Sequence, residues 1–222
     1  MPDPSAFLPA LLLILLVGVM VWFTLGTQRN ISRGNRLLEW LQGGLPALGP
    51  RTTMRWLGSS VAEMRIGEAR APYRDAVVMV VLEPRDLGAL WALSRSRGRR
   101  DFIVLRLSLV RAPRWEADLI DPGAWTAGHQ RQDDTELEPL AEPWTDAAGR
   151  TVRIAHDGRA DLDALRAHWD RLAQHSGGAW RISVRSTVPH LEVHLLPPGP
   201  ERQDARHLFG EVSALAAAVS RD

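Results

Sequence analysis

FLPALLLILLVGVMVWFTLG, residues 7–26, runs for twenty positions without a charge. At about 1.5 Å of rise per residue, a helix of that length crosses a hydrocarbon core about 30 Å thick. Leu, Ile, Val and Phe fill most of it, and each favours insertion by about 0.3–0.6 kcal/mol at mid-span. Pro9 falls in the first turn, where its missing N–H costs little. Trp22 lies near the far end, where an indole prefers the interface. A cleaved signal peptide predicts a basic leader, a shorter apolar core and a small-x-small site. MPDPSA precedes the run and Thr27-Gln28-Arg29 follows it, so the reading is an uncleaved anchor over residues 1–28.

Arg29, Arg33 and Arg36 follow the span before any acidic residue, while Asp3 precedes it. The positive-inside rule then places the N-terminus outside and the remainder in the cytoplasm of a single-pass cell-membrane protein. Residues 29–50 form a juxtamembrane segment in which Ile31, Leu37, Leu38, Trp40 and Leu41 mix with these arginines. Two readings stand. The membrane helix continues and packs on the domain, or an interfacial helix meets anionic lipid. In the second, Trp22, Arg29, Arg33, Arg36 and Trp40 are the membrane-interface residues. Gly43-Gly44-Leu45-Pro46 ends any helix.

Composition removes several chemistries. All 27 basic residues are arginine and cysteine is absent. A phosphate-loop lysine, a Schiff-base lysine, thiolate catalysis, Fe–S clusters, cysteine zinc sites and disulfides are therefore excluded. A net charge of +1 gives no global pull towards nucleic acid.

Beyond residue 50 the pattern is α+β. Residues 51–58 and 61–66 read as a strand pair. AVVMVVLE, residues 76–83, reads as a strand buried on both faces. Residues 85–96 read as a helix with Leu87, Leu90, Trp91 and Ser94 on one core-facing side. Residues 101–111 and 114–120 alternate as strands. The order then recurs: a strand at 151–155, a helix at 160–175, and strands at 180–188 and 190–196. DLGAL at 86–90 matches DLDAL at 161–165, and PRWEADLIDPG at 113–123 matches PHLEVHLLPPG at 189–199. The expected domain is a duplicated β-α-β-β arrangement in ferredoxin-like layers, with helices on one face of the sheet. Its units are residues 51–123 and 150–222, joined by an acidic linker at 124–149. That linker carries Asp133, Asp134, Glu136, Glu138 and Glu142, with Trp125 and Trp144 docking its ends. Each strand–helix–strand step predicts a right-handed crossover between parallel strands, followed by an antiparallel hairpin. A final amphipathic helix carries Leu208, Val212, Leu215 and Val219.

Candidate chemistry is sparse. His190, Glu192 and His194 share a strand face and read as exposed; no metal-ligand spacing occurs. No GxSxG or GxGxxG is present, and no cofactor is expected. Trp91, Trp115 and Trp169 read as core. Arg95, Arg97, Arg99 and Arg100 form the sharpest charge cluster. It is read as a solvated helix end, as a lipid head-group contact, or as an anion site at Arg97, Arg99 and Arg100. The leading functional expectation is a non-catalytic, membrane-tethered interaction module or accessory subunit. Its partners are lipid and a membrane or cytoplasmic protein, not nucleic acid. The alternative is an anion- or ligand-sensing domain with its site near residues 97–100.

Overall fold

The computed structural model describes residues 7–124, 138–139, 143–199 and 204–220. The helix does not stop where the apolar run ends. A single helix, α1, extends over Leu8–Gln42, exposed through the apolar stretch and buried at Leu37, Leu38, Trp40 and Leu41. Among the described residues, one helix is long and apolar enough to cross a membrane. Anchor and juxtamembrane segment are thus one element. Gly43 and Gly44 terminate it, and a Cβ on Gly44 would lie 2.2 Å from the Phe209 ring. A short 3-10 turn follows at Leu45–Ala47.

Ten strands follow among the described residues: β1 (Arg51–Trp56), β2 (Val61–Gly67), β3 (Tyr73–Val81), β4 (Phe102–Leu109), β5 (Ala117–Ile120), β6 (Glu138–Pro139), β7 (Trp144–Thr145), β8 (Thr151–His156), β9 (Ala179–Val184) and β10 (Leu191–Leu195). The same residues hold the further helices α2 (Gly88–Ser96), α3 (Leu162–Gln174) and α4 (Ala205–Val219). The fold is α+β with one continuous antiparallel sheet in the order β1-β2-β3-β4-β10-β9-β5-β8-β6, and β7 pairs with β8 beside it.

The β-α-β-β order of elements is present twice, but the two units are not arranged alike. β3 and β4 are direct antiparallel neighbours, with Val81 opposite Phe102, so the expected parallel crossover in the first unit is absent. β5 does not return beside β4; it inserts between β9 and β8, antiparallel to both. Only β9 and β10 form the expected hairpin. The segments are interleaved in one sheet, so the duplicated ferredoxin-like layout is not seen. The physical reason lies in α2. Trp91 and Arg95 bind Glu83 just past the end of β3, so the helix stays at that end of the sheet and β4 starts there, antiparallel beside β3.

Alternation in each strand decides the layers. Ala76, Val78 and Val80 of β3, Ile103, Leu105 and Leu107 of β4, and Leu191, Val193 and Leu195 of β10 point to one buried side. The second half of α1, together with α3 and α4, belongs to the same core. α4 supplies Leu208, Phe209, Val212, Leu215 and Val219, which includes the expected stripe, and α3 supplies Leu165, Trp169 and Leu172. The Asp161 side chain caps α3 by accepting from Ala164 N at 3.0 Å, and Asp204 caps α4 by accepting from Arg206 N at 2.9 Å. Of the linker, Trp125, Asp133, Asp134, Glu136 and Glu142 lie outside the described residues, as does the side chain of Glu138. Trp144 is half-buried against Trp169, with ring centroids 6.2 Å apart.

Candidate membrane-facing site

Where α1 leaves its apolar stretch, residues 22, 26, 30 and 34 share one helical face at i, i+4 spacing. That face lies against the domain. Trp22 Nε1 donates to the Arg85 carbonyl at 3.2 Å. A Cβ on Gly26 would sit 2.2 Å from the same oxygen, and one on Gly34 would sit 2.3 Å from the Trp56 ring, so both positions need glycine for close approach. Asn30 is fully buried between them. Its Nδ2 donates to the Glu83 carbonyl (3.1 Å) and to Ser60 Oγ (3.3 Å), and its Oδ1 accepts from Arg85 Nη1 (3.1 Å). A buried amide with every group satisfied fixes one rotation and one register of the helix.

Beneath Asn30 two buried carboxylates gather three arginines and an indole. Asp101 accepts from Arg33 Nε and, at 2.9 and 3.1 Å, from both terminal nitrogens of Arg85; Glu83 N also donates to it at 2.8 Å. The Glu83 carboxylate accepts from Trp91 Nε1 (2.6 Å) and from Arg95 (2.9 and 3.1 Å). Arg100 lines the same open cleft. Burial pushes the Asp101 carboxyl up, and the hydrogen bonds from Arg85, Glu83 N and Arg33 outweigh it, holding it below its ordinary value. The arrangement fastens α1, the end of β3, α2 and the start of β4 to one another.

The interface residues read from the sequence therefore divide. Trp22 sits at the α1–α2 contact and stays 46% exposed, as an interfacial indole can. Arg29 and Arg36 are exposed. Arg33 is half-buried and tied to Asp101, and Trp40 is buried in the core, so these two serve the domain rather than a surface. In the arginine loop, Arg97 and Arg100 are exposed and Arg99 is half-buried. Arg100 donates to the carbonyls of Arg95 and Arg99. It also lines a small cleft, about 170 Å³, with Phe102, Asp121, Arg150 and Trp180. Arg97 and Arg99 do not line it.

α2 departs from its expected packing. Leu87 and Leu90 were expected in the core, yet they are 50% and 47% exposed, and Leu93 is 48% exposed; the one buried residue of the helix is Ser94. Trp91 is half-buried over Glu83 rather than in the core, and its ring lies 6.4 Å from that of Trp22. The reason is the buried acid. Glu83 takes the indole N–H and the Arg95 guanidinium, which turns the polar side of α2 inward and its leucines outward.

The opposite face of the sheet is crossed by charged ladders. Glu63 holds Arg55 and Arg65, Glu192 holds Arg106 and His194, and Asp118 holds Arg181 in a two-pronged pair at 2.9 Å on each arm. Between them lie half-buried Val77, Met79, Val81 and Phe102. His190 and His194 were expected to be exposed; both are buried, and Glu192 is half-buried. His194 packs edge-on to Trp180 with centroids 4.5 Å apart. Burial pushes both histidines below their ordinary value. His190 Nδ1 accepts from Leu109 N at 2.8 Å, a bond open only to an unprotonated Nδ1. Among the described residues no group of three metal-capable side chains gathers.

Sequence reading passes over Asn30, Glu83, Arg85 and Asp101. Their signals were an isolated amide inside an apolar-to-amphipathic helix, and acids at the end of one strand and the start of the next. No known family model matches the chain, and no curated protein matches it at a significant level.

Proposed function

We propose that this chain is a single-pass membrane protein with its N-terminus outside and its domain in the cytoplasm, acting without catalysis as an interaction module or accessory subunit of a membrane complex. The observation that carries the reading is the continuity of α1. The apolar stretch and the core of the domain share one helix, braced at Trp22, Gly26, Asn30 and Arg33. A domain joined this way has a fixed attitude to the bilayer, which suits presenting one surface to a neighbour. The sheet face around Val77, Met79 and Phe102, a mixture of apolar residues and charged ladders, is the surface offered to that neighbour. Orientation rests on Arg29, Arg33 and Arg36, which act on the inserting chain before Arg33 finds Asp101. The buried acids favour the non-catalytic reading, since Glu63, Glu83, Asp101 and Asp118 each hold an arginine.

Extraction in a gentle detergent, with a photo-crosslinking side chain at position 79, tests this. One stoichiometric adduct is expected, and a tag after Asp222 should be shielded from external protease. A monomer without adduct at every expression level overturns the reading. The cleft at Arg100 favours a second reading, a domain that senses an anion near residues 97–100. Under it, phosphate or a nucleotide raises the melting temperature of the full chain, and Arg100→Ala abolishes the rise.

A further inference from the structure

We propose that α2 is an interfacial helix lying in the lipid leaflet, with Leu87, Leu90 and Leu93 among the acyl chains and the arginines that follow it at anionic head groups. The inference rests on residues 7–26 being a membrane span, and its test separates the two claims.

The first ground is the inverted stripe. Isolated exposed leucines are ordinary on a soluble surface, whereas a contiguous apolar patch marks an interaction site. Leu87, Leu90 and Leu93 follow one another at i, i+3 spacing and are each about half exposed, while the polar side of α2 is held inward by Glu83. The second is continuity. Between α1 and α2 runs an apolar groove of about 790 Å³, lined by Ile14, Leu15 and Gly18 on one side and Leu87 and Leu90 on the other. The Ile14 and Leu15 side chains that border it are themselves exposed. A patch contiguous with the lipid-facing wall of a span meets the same solvent as that wall.

The third ground is depth. Trp22 donates to the Arg85 carbonyl, and a Cβ on Gly88 would sit 2.7 Å from Trp22 Nε1, so α2 starts at the level of Trp22. The apolar run ends at Gly26, four residues later, or about 6 Å further along the axis at 1.5 Å per residue. Interfacial helices bury their apolar face about 5–10 Å into the head-group and acyl boundary. The fourth is charge. Arg95, Arg97, Arg99 and Arg100 close the helix and begin the loop after it, with exposed Arg97 and Arg100 placed for phosphate groups.

The chain has no cysteine, so a single introduced thiol reports one position. The full chain, carrying Leu15→Cys, Leu90→Cys, Leu93→Cys or Thr53→Cys and labelled with a polarity-sensitive fluorophore, is reconstituted in vesicles of phosphatidylcholine and phosphatidylglycerol. Brominated lipid quenches from within the bilayer and iodide from the water. Labels at 90 and 93 should be quenched by brominated lipid, as at 15, and be several-fold less open to iodide than the label at 53. If 15 is quenched by lipid while 90 and 93 match 53 towards iodide, α2 lies in water and the proposal fails with the span intact. Shielding from both quenchers at 90 and 93 means that protein covers the helix, and also overturns it. If the label at 15 escapes lipid quenching, the span reading falls and the proposal falls with it.

Discussion

Asp101→Ala is the sharpest way to ask what holds α1 to the domain. The carboxylate is 4% exposed and receives three kinds of donor. The two-pronged pair with Arg85, whose side chain is 18% exposed, contributes about 2 kcal/mol as a charge-assisted bond. Arg33 is 42% exposed, so solvent screening cuts its share to about 0.5–1 kcal/mol. Losing the acceptor for Glu83 N adds about 1 kcal/mol, the low end for an unmade bond, because a cleft opens beside it and admits water. The expected loss is therefore about 4 kcal/mol. Asp101→Asn keeps an oxygen for Glu83 N and surrenders only the charge, so it should lose about 2 kcal/mol.

For a domain of this size, about 2–4 °C of melting temperature accompanies each kcal/mol. The near-ultraviolet circular dichroism of the tryptophans, followed on heating the full chain in dodecyl maltoside at pH 7, should fall by about 8–16 °C for alanine and about 4–8 °C for asparagine. Combining Asp101→Asn with Arg33→Met should show a coupling of about 0.5–1 kcal/mol, since the two share one bond across the α1–sheet contact. If both Asp101 variants melt within about 2 °C of the parent, the cluster is not what fastens α1, and the rigid-anchor argument loses its main support.

Three further outcomes follow from the same structure. Stability should fall on acidification in two stages. His168, His190 and His194 have folded values pushed down by burial, so the stabilisation they give is present above 6.5 and declines as pH drops below it. Glu192, raised by burial but carried down to about 2 by His194 and Arg106, adds a contribution of about 3 kcal/mol at most, present above 4.5 and lost towards 2; urea melts from pH 8 to 3 check both stages, and a flat profile from 7 to 5 refutes the first. Gly26→Ala should destabilise by about 1–3 kcal/mol despite the better helix propensity of alanine, because its Cβ meets the Arg85 carbonyl; Gly18→Ala, with open space around it, should be neutral or stabilising by about 1 kcal/mol. Arg181→Met should cost about 2 kcal/mol by removing the two-pronged partner of buried Asp118 while Arg185 stays at 3.8 Å, and the double variant with Asp118→Leu should recover most of it in denaturant melts.

Much of the architecture was legible from residues alone, because it depends on local pattern. The uncharged run over 7–26, the alternation in 101–109, the stripe of α4 and the Gly43-Gly44 stop each follow from period or turn chemistry. Strand direction was legible in the second unit, where β8 and β9, each antiparallel to β5, run parallel and β9 and β10 form a hairpin; in the first unit it was not, and that hid the candidate site. A parallel reading of β3 and β4 sends Glu83 and Asp101 to opposite ends of the sheet. The antiparallel pairing, with Val81 opposite Phe102, brings them to the same end, where Arg85 and Arg33 meet them. The inward leucines expected of α2 failed for a related reason. Period assigns residues to a helical face but not that face to the core, and here the choice was made by a buried carboxylate that demands donors. The letters shared by DLGAL and DLDAL are likewise real but differently used. Asp161 caps its helix, whereas Asp86 accepts from Ser59 Oγ and leaves α2 without a side-chain cap.

The placement of small and polar residues along α1 says what the continuity is for. A flexible tether needs no particular residue after the span. Here Gly26 and Gly34 give up about 1 kcal/mol each of helix propensity to let backbone and indole approach. Asn30, between them, buries an amide whose donors and acceptor are all used. A residue set of that kind specifies rotation and depth more than it adds stability, since an apolar face would bind as tightly without choosing one register. Rotation about the axis of α1 decides whether α2 faces the bilayer, and depth decides whether its leucines reach the acyl region. With α1 spanning a bilayer as proposed, the same three residues set both the tilt of the domain and the level of α2, and a variant that loosens them should release both together.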